Sequence, residues 1–327
     1  MHVLITGGAG FIGSHLAERH LANGDQVYVV DNLSTGSLTN IDAFRGHPAF
    51  RFAEADILHW HGLDKAVAWA DRIYHMAAVV GVKKVLEDPV AVMATNMTGT
   101  ERILRAIHQG RWNPQVIIAS TSEVYGINPK DSFAETDHIV LPSAGRLRWV
   151  NAVAKLADEF LALSYARECG LNIVVARLFN TIGPNQVGHY GMVVPSFVSQ
   201  AVHNEPLTIY GEGQQTRSFC DVRDTVVALE LLAACPEARG EVVNVGNAQE
   251  ISIRDLAELI VNRTNSRSPL QFISIKDAYG EEYDTAAHRR PELNKLRALT
   301  GFAPKWLLSE TLDDLVDRAR AKNLRVA

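Results

Sequence analysis

The sequence predicts an α/β protein with a doubly wound parallel sheet and a second, smaller domain. Short runs rich in β-branched residues alternate with amphipathic helical segments through the first half of the chain. A glycine-rich turn joins the first of these runs to the first helical segment. The chain has 327 residues, which is more than one hydrophobic core usually spans, so two domains or one enlarged domain are expected.

Short apolar runs of the first half predict strands, because each is bounded by Gly, Asn, Asp or Pro. These predicted strands are residues 2–7, 26–31, 51–56, 72–78 and 115–121, followed by 172–179. Apolar residues at helical spacing predict helices between them, at residues 11–23, 62–69, 89–109 and 149–168. This alternation favours a parallel sheet with helices on both faces.

Beyond residue 180 the predicted elements are shorter and are linked by turn-rich segments. Helices are predicted at residues 192–204, 224–235, 252–264 and near 309–321, with strands at the start of 207–219 and at 241–247. Residues 279–304 are predicted as a loop. We expect a first domain over residues 1–180, to which a segment near 219–245 returns, and a second domain mostly over residues 181–327.

Net charge, the lengths of apolar runs and the cysteine spacing limit the partners and the cell compartment that we expect. The net charge of −5 gives no reason to expect nucleic acid or an anionic membrane as partner, and no apolar run approaches the ~18 residues of a membrane span. Cys169, Cys220 and Cys235 lack paired spacing, which suits a reducing compartment and predicts no zinc site. The first strand begins at residue 2 or 3 and leaves no room for a signal peptide, so a cytoplasmic location is expected.

The segment LITGGAGFIGSH places Gly7, Gly10 and Gly13 between the first strand and the first helix. Glycines at this spacing let backbone N–H groups approach a pyrophosphate at a helix N-terminus, where the helix dipole favours anions. Asp31 ends the second strand, where an acid binds both ribose hydroxyls and repels a 2′-phosphate. We therefore predict a Rossmann-type domain that binds NAD rather than NADP. Further predicted NAD contacts are Phe11, Ile12, Asn32, Asp56 (for which helix capping is the alternative), Ile57, Ala77, Ala78 and Asn96.

Five motifs occur in one order along the chain: TGGAGFIG, HMAA at 75–78, TSEVYG at 121–126, the lysine that ends NAVAK at 151–155, and RLFNTIGP at 177–184. Together they resemble the extended short-chain dehydrogenase/reductase group that modifies nucleotide sugars. The resemblance covers nearly the whole chain. It implies an NAD-binding domain, a smaller nucleotide-sugar-binding domain, and a homodimer that pairs helices, one of them 149–168, in a four-helix bundle.

Two stretches point to one branch of this group. Glu123 follows Ser122, and Arg289 precedes Pro291 and a helical segment; both are similar to UDP-glucuronate decarboxylases, where these residue types surround the sugar carboxylate. The pair RW before helix 149–168 is similar to bacterial decarboxylase domains and to apiose synthase. For Glu123 and Arg289, solvated loop charges are the alternative.

This resemblance implies oxidation of UDP-glucuronate at C4 by hydride transfer to NAD. The 4-keto intermediate is a β-keto acid, which loses CO2 to give a UDP-pentose or a UDP-4-keto-pentose. A UDP-hexose or UDP-uronate 4-epimerase is the alternative enzyme.

The resemblance also assigns residues to the substrate and to the chemistry. Asn180 and Arg217 are placed at the nucleotide diphosphate, and Val194, Thr208 and Tyr210 at the uracil and ribose. A buried strand role for Thr121 and a packing role for Tyr210 remain open. In the chemistry, Thr121 hydrogen-bonds the reacting hydroxyl. Lys155 binds the nicotinamide ribose and lowers the pKa of a neighbouring acid.

Position 151 departs from the family, which has a tyrosine there as its acid–base residue. Asn151 has no proton to exchange at a useful pH, and general acid–base help contributes ~10²–10⁴ in rate. Three explanations compete: an engineered substitution, a natural loss that leaves a slow enzyme or a catalytically silent sugar-nucleotide-binding protein, and a different base. Glu123 is the nearest candidate base, and Tyr125, which is expected to pack in its loop, is a weaker one. We favour a natural departure with altered or reduced activity.

Overall fold

The computed structural model describes residues 1–188, 192–279 and 287–324. Its strands are β1 His2–Thr6, β2 Gln26–Asp31, β3 Phe50–Glu54, β4 Arg72–His75, β5 Gln115–Thr121, β6 Ile173–Leu178, β7 Thr181–Ile182, β8 Leu207–Tyr210, β9 Thr216–Ser218, β10 Cys220–Asp221, β11 Val242–Val245, β12 Glu250–Ser252 and β13 Leu270–Ile273. Its helices are α1 Phe11–Ala22, α2 Leu63–Trp69, α3 Val82–Glu87, α4 Pro89–Gly110, α5 Val150–Cys169, α6 Val193–Val202, α7 Val222–Ala234, α8 Ile253–Thr264, α9 Ile275–Tyr279, α10 Asn294–Thr300 and α11 Leu308–Leu324.

The central sheet has seven strands in the order β11-β6-β5-β4-β1-β2-β3. Every pairing in it is parallel, so the predicted doubly wound α/β fold is confirmed. The strand order reverses at β1, which lies between β2 and β4. Ligands of such sheets bind at this reversal, beyond the carboxyl ends of the strands.

Two helical layers cover the sheet because successive side chains of each strand point to opposite faces. Val3 and Ile5 of β1 belong to a cluster that includes residues of α1 and α7. Leu4, between them, belongs to a second cluster with residues of α2, α4 and α5. The segment near 219–245, expected to return to the first domain, contributes α7 and β11 to this core; the domain boundaries themselves stay a prediction.

The second half builds a separate core from α6, α8, α11 and β8. Ser252 caps α8 by accepting a hydrogen bond of 3.0 Å from the Asp255 amide, as its sequence predicts. The prediction of a loop over 279–304 is wrong in part, because α10 forms there. Leu296 of α10 is fully buried in the α1–α7 layer, and this tertiary burial stabilises a helix too short to be recognised by periodicity. Residues 280–286 lie outside the described residues.

None of the helices in the described part of the chain has the length and apolarity that a bilayer span requires. The three cysteines are free thiols.

Candidate active site

One cavity of about 650 Å³ extends from the turn after β1 to the second half of the chain. Every residue predicted from the sequence to contact cofactor or substrate lies in its wall, except Asn96. These lining residues are Gly7, Gly10, Phe11, Ile12, Gly13, Asp31, Asn32, Asp56, Ile57, Ala77, Ala78, Thr121, Ser122, Glu123, Asn151, Lys155, Asn180, Val194, Thr208, Tyr210, Arg217 and Arg289. The fold thus brings them together, and their individual contacts with ligand stay predictions.

The glycine turn is shaped by close backbone approaches. Gly7 has φ +69°, and a Cβ atom there would lie 2.6 Å from the backbone nitrogen of Ala77. A Cβ atom at Gly13 would lie 2.3 Å from the Gly7 carbonyl oxygen. The turn therefore has room for backbone only, and it presents the N-terminus of α1 to the cavity. This is the cradle that a pyrophosphate requires.

Asp31 stands at the end of β2 with its carboxylate held by the backbone. It accepts hydrogen bonds from the amides of Ala9, at 3.0 Å, and Leu33, at 2.8 Å. Burial raises the pKa of Asp31, and these backbone donors oppose the rise. The carboxylate is thereby fixed beside the glycine turn, where a ribose would sit.

Asn32 and Asp56 close the same end of the cavity. The Asn32 amide donates to Asp56 across 3.2 Å, and Asp56 also accepts from the Leu58 amide at 2.9 Å. The alternative role of Asp56 as a helix cap does not hold, because α2 begins only at Leu63.

Asn96 departs from its predicted role as an NAD contact. Its side chain is fully buried and is not part of the cavity wall. It instead binds both backbone groups of Val79, at 2.8 and 3.1 Å, and donates to the Asn151 amide oxygen at 3.1 Å. Asn96 therefore lies behind the residues of the cavity wall, where its hydrogen bonds hold the loop after β4 and the side chain of Asn151 in place.

Glu123 is surrounded by cationic and amide donors. Arg289 reaches its carboxylate at 3.3 Å, Arg148 at 3.5 Å and the Asn151 amide at 3.3 Å. Burial raises the pKa of Glu123, but the two arginines outweigh this effect, and the pKa is lowered. A carboxylate held ionised by two guanidinium groups is a weak base, so this geometry disfavours Glu123 as the replacement for a tyrosine.

Tyr125 is also unsuited to act as a base. It is fully buried, stacks on Phe133 with 4.8 Å between ring centroids, and donates to Asn244 at 2.8 Å. Burial raises the pKa of Tyr125 to about 12, although Arg177 opposes the rise. The predicted packing role of this residue is confirmed.

Lys155 lies one turn after Asn151 on α5 and is almost completely buried. Its ammonium lies 3.3 Å from the carboxylate of Asp158, which is also buried. Thr121 ends β5, and its hydroxyl accepts from the Glu123 amide at 3.2 Å. Thr121, Asn151 and Lys155 therefore line one stretch of the wall where the sheet ends.

The substrate half of the cavity carries polar groups from the second half of the chain. The Asn180 amide donates to the Ser218 carbonyl at 3.0 Å, and the Thr208 hydroxyl accepts from Gln200 at 3.1 Å. Arg217 donates to the carbonyls of Thr216 and Ala287. Tyr210 is 40% exposed and lines the cavity.

Two residues of the site carried no assigned role in the sequence. Arg148 was visible only as part of the RW motif, and it lines the cavity beside Glu123. Asp158 follows Lys155 by three positions, and this helical spacing signals a contact between the two side chains.

Comparison with known proteins identifies the family of the chain. The family model for GDP-mannose 4,6 dehydratase matches residues 4–315. The chain is 36% identical over 314 residues to a UDP-N-acetyl-alpha-D-glucosaminuronate decarboxylase of Bacillus cytotoxicus, with 96% of each protein covered. It is 34% identical over 317 residues to UDP-glucuronic acid decarboxylase 1 of Xenopus tropicalis, with 96% of this chain and 71% of that protein covered.

A solved structure with the same architecture is UDP-glucuronic acid 4-epimerase from Bacillus cereus in complex with UDP-glucuronic acid and NAD. It has a TM-score of 0.88 at 27% identity, and the match covers 98% of this chain and 100% of that one. The resemblance inferred from the sequence motifs is confirmed by these matches. Since the family model spans nearly the whole chain and both parts of the cavity fall within it, this protein belongs to the GDP-mannose 4,6 dehydratase family.

Proposed function

We propose that the protein is an NAD-dependent decarboxylase of a UDP-uronate, with UDP-glucuronate as the first candidate substrate. One structural observation carries the proposal: Arg289 and Arg148 converge on Glu123 in the wall of the cavity, next to Asn151. Guanidinium groups are the side chains best suited to bind a carboxylate. The curated decarboxylases at 36% and 34% identity support the same reaction.

The residues of the first half fit NAD. Gly7 and Gly13 leave a space that a Cβ atom would fill, and Asp31 lies at the end of β2 where the ribose hydroxyls of NAD are bound. When bound, NAD supplies the hydride acceptor and donor for the sugar C4 position. The binding, orientation and proton chemistry remain with the side chains of the protein.

Different side chains of the cavity wall bind the sugar carboxylate and the oxygen on C4. Arg289 and Arg148 hold the sugar carboxylate beside Glu123, and Thr121 offers its hydroxyl to the oxygen on C4. One hydrogen of the Asn151 amide is directed to Glu123, which leaves the second for that same oxygen. Donors at this oxygen stabilise the negative charge that accumulates there as CO2 leaves a β-keto acid.

The test is product analysis with the NAD-loaded protein. UDP-glucuronate is expected to release CO2 and to give a UDP-pentose or a UDP-4-keto-pentose, as followed by gas trapping and by NMR of the sugar. UDP-N-acetylglucosaminuronate is tested in parallel because of the 36% identical relative. UDP-glucose, which lacks the carboxylate, is the matched control and should release no CO2.

A 4-epimerase is the second candidate, supported by the solved epimerase with 27% identity. A uronate inverted at C4 without loss of CO2 would favour it over the decarboxylase. Tight binding of UDP-uronate with no NADH absorbance and no product after long incubation would instead identify a catalytically silent binding protein.

The proposal includes a homodimer in the cytoplasm. Helices α4 and α5 run side by side in the same direction. Asn96 hydrogen-bonds Asn151 near their N-terminal ends, and the rings of His108 and Tyr165 are in contact near their C-terminal ends. The paired helices expose large apolar side chains, namely Val90, Met97, Val153 and Phe160, and burying such a face is the usual basis of a symmetric dimer. The three free cysteines support a reducing compartment.

A further inference from the structure

Asn151 cannot act as an acid or a base, so another side chain is needed to take the proton. The neighbouring titratable side chains differ in the contacts that hold them. Glu123 is held by two arginines. Glu159 is held by the Arg177 guanidinium, with contacts of 3.0, 3.3 and 2.7 Å, and by the Ser120 hydroxyl. Each of these two carboxylates is thus engaged by guanidinium groups, and the arginines beside Glu123 lower its pKa, which makes Glu123 a poor proton acceptor.

His75 is no better placed to take a proton. Its Nδ1 lies 2.7 Å from the Thr6 hydroxyl and its Nε2 lies 3.2 Å from the Thr100 hydroxyl. Burial lowers the pKa of His75 to about 3, with a further contribution from the charge of Lys155. The imidazole is therefore neutral across the working pH range and resists protonation.

Asp158 differs from all three. It is 1% exposed, and its carboxylate contacts the Lys155 ammonium at 3.3 Å. Lys155 lines the cavity and Asp158 lies directly behind it. Burial raises the pKa of Asp158; Lys155 opposes this effect and the neighbouring charge of Glu159 adds to it. A carboxylate with a raised pKa accepts a proton more readily than a carboxylate with an ordinary pKa.

We propose that Asp158 receives, through Lys155, the proton that leaves the sugar C4 hydroxyl, and so acts as the positioning and proton-storing partner that compensates for asparagine at position 151. This inference rests on the proposed C4 oxidation. As the hydroxyl O–H bond breaks, its proton goes to Lys155 Nζ while one Nζ proton passes to Asp158 Oδ2. The two electrons of the C4–H bond would leave with the hydride, for which bound NAD would be the acceptor. Lys155 ends as it began, Asp158 ends neutral, and reduction of the ketone reverses both transfers.

The variants that test this are Asp158→Asn, which keeps the shape without the charge, and Asp158→Glu, which keeps the carboxylate. Glu168→Gln, on the exposed end of the same helix, is the matched control. Asp158→Asn is expected to lower the single-turnover rate of NADH formation by ~10²-fold or more, with partial recovery in Asp158→Glu and no change in Glu168→Gln. Wild-type rates should fall on acidification through the pKa of Asp158, and this acid limb should be missing from the residual activity of Asp158→Asn. Equal rates and pH profiles in wild type and Asp158→Asn would overturn the proposal.

Two readouts do not depend on turnover by the variant. Infrared difference spectra of wild type mixed with NAD and UDP-glucuronate should contain the band of a newly protonated aspartic acid, identified by ¹³C labelling of aspartate. A carboxyl band that shifts with labelled glutamate instead would contradict the assignment to Asp158. Without any sugar, Asp158→Asn should weaken the affinity for NAD⁺ about tenfold relative to NADH, because the Lys155 charge is then uncompensated beside the cationic ring.

These results separate the two proposals. If wild type turns over UDP-glucuronate but the NAD⁺ to NADH affinity ratio is unchanged in Asp158→Asn, the role of Asp158 is wrong and the proposed function stands. If wild type oxidises no UDP-uronate at all, the proposed function fails and the proton transfer fails with it, even where the affinity ratio shifts.

Discussion

Asn151 donates a hydrogen bond of 3.3 Å to Glu123 and thereby ties α5 to the turn after β5. Its amide oxygen accepts from Asn96 at 3.1 Å, so both ends of the side chain are engaged. An amide can make these two contacts at once because it carries both a donor and an acceptor. The Asn151 side chain therefore connects α4, through Asn96, to the turn after β5, through Glu123.

Restoring a phenol at this position should raise activity. Asn151→Tyr is expected to increase kcat on UDP-glucuronate by ~10²-fold or more, because the ammonium of Lys155 one turn away lowers the pKa of an adjacent phenol. Asn151→Phe supplies the ring without the hydroxyl and is the control. A rate in Asn151→Tyr no higher than in Asn151→Phe would mean that the chain relies on another acid–base group.

Arg289 should determine preference for a substrate carboxylate. Arg289→Gln is expected to raise the Kd of UDP-glucuronate ~10- to 100-fold, the usual size of a lost charge-assisted hydrogen bond. The Kd of UDP-glucose should hardly change. Arg290→Gln is the control, since Arg290 pairs with Glu250 at 3.6 Å and is absent from the cavity wall. Calorimetric titration with both sugars measures this, and equal losses for the two would refute a carboxylate-specific role.

Glu123 should contribute a pH-dependent part of the stability. Burial raises its pKa, but Arg289 and Arg148 lower it below its ordinary value of 4.5. The contribution is therefore fully present above pH 4.5 and is lost as the pH falls through the lowered pKa of the folded state. Glu123→Gln is expected to cost ~1–3 kcal/mol at neutral pH, and the difference from wild type should shrink on acidification. Urea unfolding over a pH series measures it, with the exposed Glu258→Gln as control; a difference that is constant with pH would contradict the ion-pair account.

Gly7 should be essential for NAD binding for a steric reason. Gly7→Ala places a Cβ atom 2.6 Å from the Ala77 backbone nitrogen, in addition to the strain of φ +69°. Gly24→Ala is the matched control, because Gly24 has φ +81° but no atom within 4 Å of its Cβ position. Both variants should lose ~1–2 kcal/mol of stability from the left-handed backbone. A large loss of NAD affinity is expected in Gly7→Ala alone, and retained affinity there would show that the turn adapts.

Phe160 should lie in a subunit interface. It is 68% exposed on α5, and a charge there would be buried against the partner in the proposed dimer. Phe160→Glu is expected to shift the protein from dimer to monomer in analytical ultracentrifugation at micromolar concentration. Leu307→Glu, at a residue 54% exposed ahead of α11, should leave the mass unchanged. A wild-type protein that sediments as a monomer would remove the basis for this interface.

The sequence predicted what depends on local geometry. The glycine turn, the strand ends at Asp31 and Thr121, and the Ser252 cap are all set by residues within one short segment. Arg289 and Glu123 are 166 positions apart, and only the resemblance to a known family placed them together. Tyr125 and Asn244, 119 positions apart, had no signal of their own. Helix α10 was missed because its stability comes from the burial of Leu296 rather than from periodicity.

The last strand of the main sheet has a consequence for how this polypeptide can be divided. β11 follows α6 and α7 in the second half of the chain, yet it forms the edge strand of the main sheet next to β6. A polypeptide that stops at residue 180 would leave the outer edge of β6 without a partner strand. An unpaired, apolar edge strand is prone to pair with strands of other molecules. The first and second halves of the chain are therefore expected to fold as one unit that cannot be divided at residue 180.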